Sequence, residues 1–242
     1  MTQSEFLLEC KRIFELNHLP CSDEQAEQLY ALTNRMLEVN QHMNLTAIKE
    51  EKAVILRHYA DSLMISEYID VGARVIDVGC GAGFPSLPLA IFRPDLKITS
   101  LDGTAKRIRY VEETARMLGL STVTAIAGRA EEYANQVEFR ERFDVATARA
   151  VAALPVLCEL CLPFVRPGGS MIAMKSQQAN EELALSKRCV SLCGGANARI
   201  VEKNLRETDE LSECRSLILI EKQSSTPKNY PRHFSQISKK PL

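Results

Sequence analysis

The sequence predicts an α/β protein: a mostly parallel, seven-stranded, Rossmann-like sheet preceded by a helical N-terminal extension. Three observations carry this expectation. From Ala73 onward, short apolar runs alternate with amphipathic helical stretches, the pattern of strands joined by crossover helices. The first of these runs leads into a glycine-rich turn, VIDVGCGAGFPSLPLA, at residues 75–90. The first seventy residues, by contrast, show apolar positions at helical intervals and no convincing strand.

Each element follows from its local pattern. In the extension, residues 1–70, Ser22-Asp23-Glu24-Gln25 has capping-box spacing, and Ala26, Leu29, Tyr30, Met36 and Leu37 then recur along one helical stripe. After a polar turn at Gln41 to Asn44, a second helix is predicted from Glu50 to about Tyr68. Ala53, Leu56, Ala60, Leu63 and Met64 face inward on it, and His58 and Asp61 lie three apart on one face. In the core, residues 71–222, strands are expected at Arg74 to Val78, Lys97 to Leu101, Val123 to Ala127, Phe143 to Ala148, Ser170 to Met174, weakly at Arg199 to Glu202, and at Ser216 to Glu221. Helices are expected at Leu87 to Phe92, Ala105 to Leu118, about Glu131 to Val137, Ala153 to Phe164, and Ala179 to Leu192, the last ended by Gly194-Gly195 at a C-cap. Residues 223–242 are rich in Ser, Thr, Pro, Lys and Asn without a period, and read as a basic tail or extended arm.

A chain of 242 residues, 45% hydrophobic and 25% charged, fills an ordinary core and is neither disordered nor collagen-like. No run of 18 apolar residues and no signal-peptide pattern occurs, so a cytoplasmic protein without membrane association is expected. The eight cysteines are dispersed and are expected as thiols. Cys158 and Cys161 have the spacing of a metal half-site, but they lie in the apolar run LPVLCELCLPFV and no second half completes four ligands, so no metal is expected. The net charge of −1 suggests at first an enzyme of small molecules rather than a nucleic-acid binder. That figure hides a division: residues 222–242 hold five Lys or Arg and no acid, leaving 25 basic against 31 acidic groups in residues 1–221.

The glycine turn carries the chemistry. A buried strand ends in Asp77, Gly79, Gly81 and Gly83 follow, and Pro85 stands where a helix begins. Glycines suit a sharp turn at a sheet edge where backbone approaches a ligand closely. Phe84 occupies the third glycine position of the dinucleotide GxGxxG pattern, so the turn departs from the NAD type and fits the DxGxGxG turn of S-adenosylmethionine (SAM) enzymes. Asp102, closing the next strand 23 residues beyond Gly79, is placed to hold both ribose hydroxyls, and Pro167-Gly168-Gly169 before the fifth strand adds a third element. Together they point to the class I SAM-dependent methyltransferase fold.

On longer stretches the chain resembles the 16S ribosomal RNA (guanine-N7)-methyltransferase G family, also called glucose-inhibited division protein B. The likeness runs through NQHMNLTAI (40–48), RHYADSL (57–63), DVGCGAGFPSLPLA (77–90), DGTAKRIRYVEE (102–113), GRAEEYA (128–134), ATARAVAALPVLCELCLPFVRPGG (146–169), MKS (174–176) and TPKNYPR (226–232). The resemblance implies transfer of a methyl group from SAM to N7 of the guanine at position 527, in the 530 loop of 16S rRNA in the small ribosomal subunit. It places cofactor contacts on Gly79, Phe84, Asp102, Gly103, Thr104, Ala130, Glu131 and Arg149. In this reading Gly79 accommodates the methionine end and Phe84 is an apolar wall. Asp102 holds the ribose, while Ala130 and Glu131 meet the adenine.

The absences agree with that acceptor. The loop after the fourth strand is Thr147-Ala148-Arg149-Ala150, not the [DN]PP[YF] of exocyclic-amine methylation, and no cysteine ends a strand as a pyrimidine-carbon nucleophile would. Guanine N7 bears a lone pair and no proton, so alignment and electrostatics suffice, and no catalytic acid or base is assigned. Arg129, Arg149 and Lys175, at strand ends on the rim of the turn, are expected to hold phosphate or the guanine O6, with His58 and Asp61 bordering the site. Lys222, Lys228, Arg232, Lys239 and Lys240, with Tyr230 and Phe234, would let the tail touch RNA. A monomer is expected. Two other readings of the same residues are a methyltransferase of small molecules or proteins, and a non-catalytic RNA-binding assembly factor.

Overall fold

The computed structural model describes residues 1–175 and 178–242. It opens with α1 (Gln3–Leu16) and α2 (Asp23–Met43), both started by reciprocal capping boxes, Thr2 with Glu5 and Ser22 with Gln25. The helix predicted from Glu50 to Tyr68 is interrupted. α3 (Glu51–Val54) passes into a π-helical turn at Ile55–Ala60, followed by α4 (Asp61–Leu63) and a 3-10 turn at Ser66–Tyr68. A π turn is uncommon outside functional sites, and this one carries Arg57 and His58.

The sheet and its crossovers follow in order: β1 (Arg74–Val78), α5 (Ser86–Phe92), β2 (Lys97–Asp102), α6 (Ala105–Met117), β3 (Val123–Ala127), α7 (Ala130–Tyr133), β4 (Phe143–Arg149), α8 (Leu154–Cys161), β5 (Val165–Lys175), α9 (Ala179–Leu192), β6 (Gly195–Arg206), β7 (Ser212–Lys222) and α10 (Phe234–Lys239). The strand order is β3-β2-β1-β4-β5-β7-β6. β7 alone runs against its neighbours. The order reverses between β1 and β4, and at such a switch point the crossover loops part and leave a crevice at the carboxyl ends of the strands.

Alternate residues of each strand feed two cores. Val75, Ile98, Val145, Ile172 and Leu219 face one side, where α1, α2, α5 and α6 pack over them. Ile76, Leu101, Ala146, Met171, Ala173 and Ile218 face the other, under α8 and α9. The N-terminal helices therefore cover one face of the sheet and share its core. Cys158 and Cys161 are buried in α8, as a helical face in an apolar run requires.

Three expectations change. The weak sixth strand is a full twelve-residue edge strand whose burial alternates, because one side of an edge strand faces water and its charges blur the apolar signal. The fifth strand begins earlier, at Val165, with Pro167-Gly168-Gly169 inside a register shift against β4 rather than in a separate turn. Residues 223–242 do not extend away from the body. They fold back along α8 and end in α10, whose Ile237 is fully buried. Lys222 is turned inward, donating to the Leu162 carbonyl at 2.8 Å and to the Thr226 hydroxyl at 2.5 Å. Arg232 grips the buried Glu159. Of the tail cations proposed to meet RNA, Lys228, Lys239 and Lys240 stay exposed.

Candidate functional site

The glycine turn is built by two carboxylates. Asp77, fully buried, accepts from the Ser86 amide at 3.2 Å and from the Ser86 hydroxyl, tying the end of β1 to the start of α5. Burial raises its carboxyl to about 6, against the lowering effect of the Ser86 bonds. Its Oδ1 has no donor. Asp102 accepts from the Gly81 amide at 3.0 Å through Oδ2 and from the Thr104 amide at 2.8 Å through Oδ1. Each oxygen keeps a further lone pair.

Around them lies a cleft of about 140 Å3 running along the carboxyl ends of β1, β2 and β3. Gly79, Asp102, Gly103, Ala130 and Glu131 line it, as does Arg129. Gly79 has φ +76°, and a Cβ there would lie 2.6 Å from Cγ2 of Val151, so the close approach admits no other residue without movement. These features fit SAM: a backbone cradle at Gly79 and free acceptor capacity on Asp102 for a diol. The residues that would hold the cofactor are those of this cleft. Thr104, at the N-cap position of α6, donates its amide to Asp102.

Beside the cleft lies a second and larger space, which Arg149 lines and Phe84 underlies. This basin, of about 650 Å3, is lined by Arg57, His58, Asp61, Arg149, Lys175 and Arg215 among others. The His58 ring stacks on Phe84, centroids 4.4 Å apart and planes within 8°. Arg149 lies over Phe84 at 5.4 Å and donates to Asp61 at 2.9 Å, while Asp61 also accepts from Arg215 at 2.9 Å. His58 is held well below its ordinary value, at about 3, by burial and by Arg149, so its ring is neutral. An arginine can only donate, so Nδ1, 3.3 Å from Arg149, accepts, and Nε2–H donates to the Thr46 hydroxyl at 2.8 Å. Lys175 points at the loop after β4, bonding the Ala152 carbonyl at 2.6 Å and Glu182 at 2.8 Å.

The residues expected from sequence thus divide. Gly79, Asp102, Gly103, Ala130, Glu131 and Arg129 form the cleft, and Arg149, His58, Asp61 and Lys175 form the basin, with Phe84 buried behind His58. Arg149, Ala150 and Val151 join the two, since Arg149 and Ala150 line the basin and Val151 the cleft. Sequence reading passed over Arg215, a lone basic residue in an antiparallel strand, and assigned Phe234 to RNA, whereas its ring reaches the cleft from the tail. It also passed over Thr46, whose only signal was its place in NQHMNLTAI. Ser176, part of the quoted MKS, lies outside the described residues. Among the described residues no group of three or more His, Cys, Asp or Glu is arranged to hold a metal, and no helix is long and apolar enough to cross a membrane.

Solved structures share this architecture. A SAM-dependent O-methyltransferase from Thermotoga maritima aligns with a TM-score of 0.52 at 16% identity, over 79% of this chain and 72% of its own. Precorrin-6y C5,15-methyltransferase from Geobacter metallireducens aligns with 0.51 at 13% identity, over 67% and 87%. The fold is that of the class I SAM-dependent methyltransferases. At the level of sequence, "Ribosomal RNA small subunit methyltransferase G" of Lactobacillus acidophilus is 41% identical over 100% of both chains. The protein of the same name from Alkaliphilus metalliredigens is 43% identical over 91% of this chain and 92% of its own. A family model described as rRNA small subunit methyltransferase G matches residues 25–211. With the match spanning most of the extension, the glycine turn and most of the sheet, the chain belongs to the rRNA small subunit methyltransferase G family.

Proposed function

We propose that this protein is a SAM-dependent methyltransferase acting on N7 of guanine 527 in the 530 loop of 16S rRNA, working in the cytoplasm on the small ribosomal subunit. The observation that carries the reading is the junction of two unlike spaces at the sheet's switch point. The cleft has acceptors suited to an adenosyl group. The basin beside it gathers Arg57, Arg149, Lys175 and Arg215, four cations that Asp61, Glu182 and the adjoining Glu213 offset only in part. An excess of cations suits a phosphate-bearing substrate.

SAM, when bound, supplies a methyl group on a sulfonium. Guanine N7 has a lone pair of its own for that methyl group, so the transfer would need no proton moved by the protein. The side chains agree with such a step. Asp61 is bound by two arginines, and both ring nitrogens of neutral His58 are engaged, so both side chains are committed to holding their neighbours. Their part is to fix the Arg149 guanidinium and the Phe84 ring next to the cleft. Alignment of this kind replaces acid–base catalysis.

Small subunits from cells lacking this activity, incubated with the protein and labelled SAM, should carry label at a single N7-methylated guanine of the 530 loop. Label elsewhere, or none, rejects the assignment.

A further inference from the structure

We propose that the C-terminal segment completes the cofactor site, with Phe234 as the wall of its base-binding end. The inference rests on the cleft being the SAM site.

Phe234 is the one residue from beyond β7 to line the cleft. Its ring lies under the Arg129 guanidinium at 4.5 Å, and Arg129 in turn reaches Glu131 at 3.4 Å. The ring therefore closes the end formed by Gly128 to Glu131, beyond the ribose-holding Asp102. A planar base needs an apolar, polarisable face there, and aromatic rings serve sequence-independent base stacking elsewhere. No other aromatic side chain lines the cleft among the described residues.

The segment is built to stay in place. Glu159 of α8 is fully buried and its three partners are all in Arg232: the backbone amide at 2.9 Å, Nε at 2.8 Å and Nη2 at 2.6 Å. Arg140 donates to the carbonyls of Thr226 at 2.7 Å, Pro227 at 3.1 Å and Tyr230 at 2.9 Å. Ile237, one turn past Phe234, plugs into the core beside α8. The next residue after Glu159, Leu160, is itself a cleft wall. Tail, α8 and cleft are thus one packed unit, which a free RNA-binding arm would not require.

The test is calorimetric binding of S-adenosylhomocysteine, with no RNA present. Phe234→Ala should weaken binding by roughly tenfold, since stacking on a base is worth about 1–3 kcal/mol. Phe234→Tyr, which keeps the ring, should stay within about threefold of the wild type. Phe234→Leu keeps apolar volume without a π face and should resemble the alanine variant, which guards against misfolding of the latter. Hydrogen exchange on the wild type should slow over residues 226–240 when the ligand is added. Unchanged affinity in both Phe234→Ala and Phe234→Leu, or no protection of residues 226–240, overturns the role of the tail while leaving the cofactor reading intact. Failure of the wild type to bind the ligand overturns the cofactor reading itself.

Discussion

At the scale of the residue, Asp102 and His58 show how neighbours set a side chain's role. Asp102 spends one lone pair on each of two backbone amides and so holds the glycine turn and the start of α6 while keeping capacity for a ligand. Asp102→Ala should lower S-adenosylhomocysteine affinity by roughly tenfold to a hundredfold, the range for hydrogen bonds to a charged group, as measured by calorimetry. His58 makes a pH prediction. Its folded ring resists protonation down to about 3, whereas the unfolded ring accepts a proton near the ordinary value of 6.5. The stabilisation is present above that ordinary value and is lost as pH falls through 6.5 toward 3. Urea midpoints measured across this window should therefore fall less steeply for His58→Gln than for the wild type, and the wild-type ring should show no titration between pH 5 and 8 by NMR. Asp102 was legible from its place at a strand end. The state of His58 was not, because Arg149 and Thr46, which impose it, are distant in sequence.

At the scale of the element, periodicity located the strands and most helices but not their partners. The π turn at Ile55–Ala60 has no mark in the pattern, since the apolar spacing of Leu56, Ala60 and Leu63 suits a regular helix. It is maintained by what it meets: His58 on Phe84, Arg57 on Glu213, and Asp61 on arginines of β4 and β7. The tail is the clearer case. Its polar composition describes a solvated arm, yet Arg232 and Lys222 answer a buried carboxylate and buried carbonyls that no local window contains. Removing the Arg232 side chain leaves the buried Glu159 carboxyl with only the backbone amide of residue 232 as partner. Arg232→Ala should then cost about 3–5 kcal/mol in chemical denaturation, the range for breaking a buried pair, while Lys239→Ala on exposed α10 should change stability by less than about 0.5 kcal/mol.

At the scale of the molecule, the near-zero net charge resolves into an acidic body, a tail whose cations are partly turned inward, and a basin with a local excess of positive charge. RNA binding should depend on salt through the basin more than through the tail. Lys175→Ala should lower rRNA methylation by about tenfold and leave S-adenosylhomocysteine binding unchanged. It should also flatten the log–log salt slope of RNA binding by roughly the 0.7–0.9 expected for one phosphate contact. Substituting Lys228, Lys239 and Lys240 together should leave that slope nearly as it is. Methylation assays and titrations at several salt concentrations check both.

Sequence alone determined the class of fold, the glycine turn and the carboxylate beyond it, because these depend on short-range periodicity and on backbone conformations that few residues adopt. It also pointed to the family, through motifs spread over nearly the whole chain. Tertiary structure decided the allocation of the other side chains. Arg149 belongs to the basin wall with Phe84 packed behind it, Arg129 and Phe234 close the cleft, and Lys222 and Arg232 anchor the tail. Each of these pairings spans many residues, and which charge meets which carboxylate is set by how helices and strands stack, not by the spacing of residues along the chain.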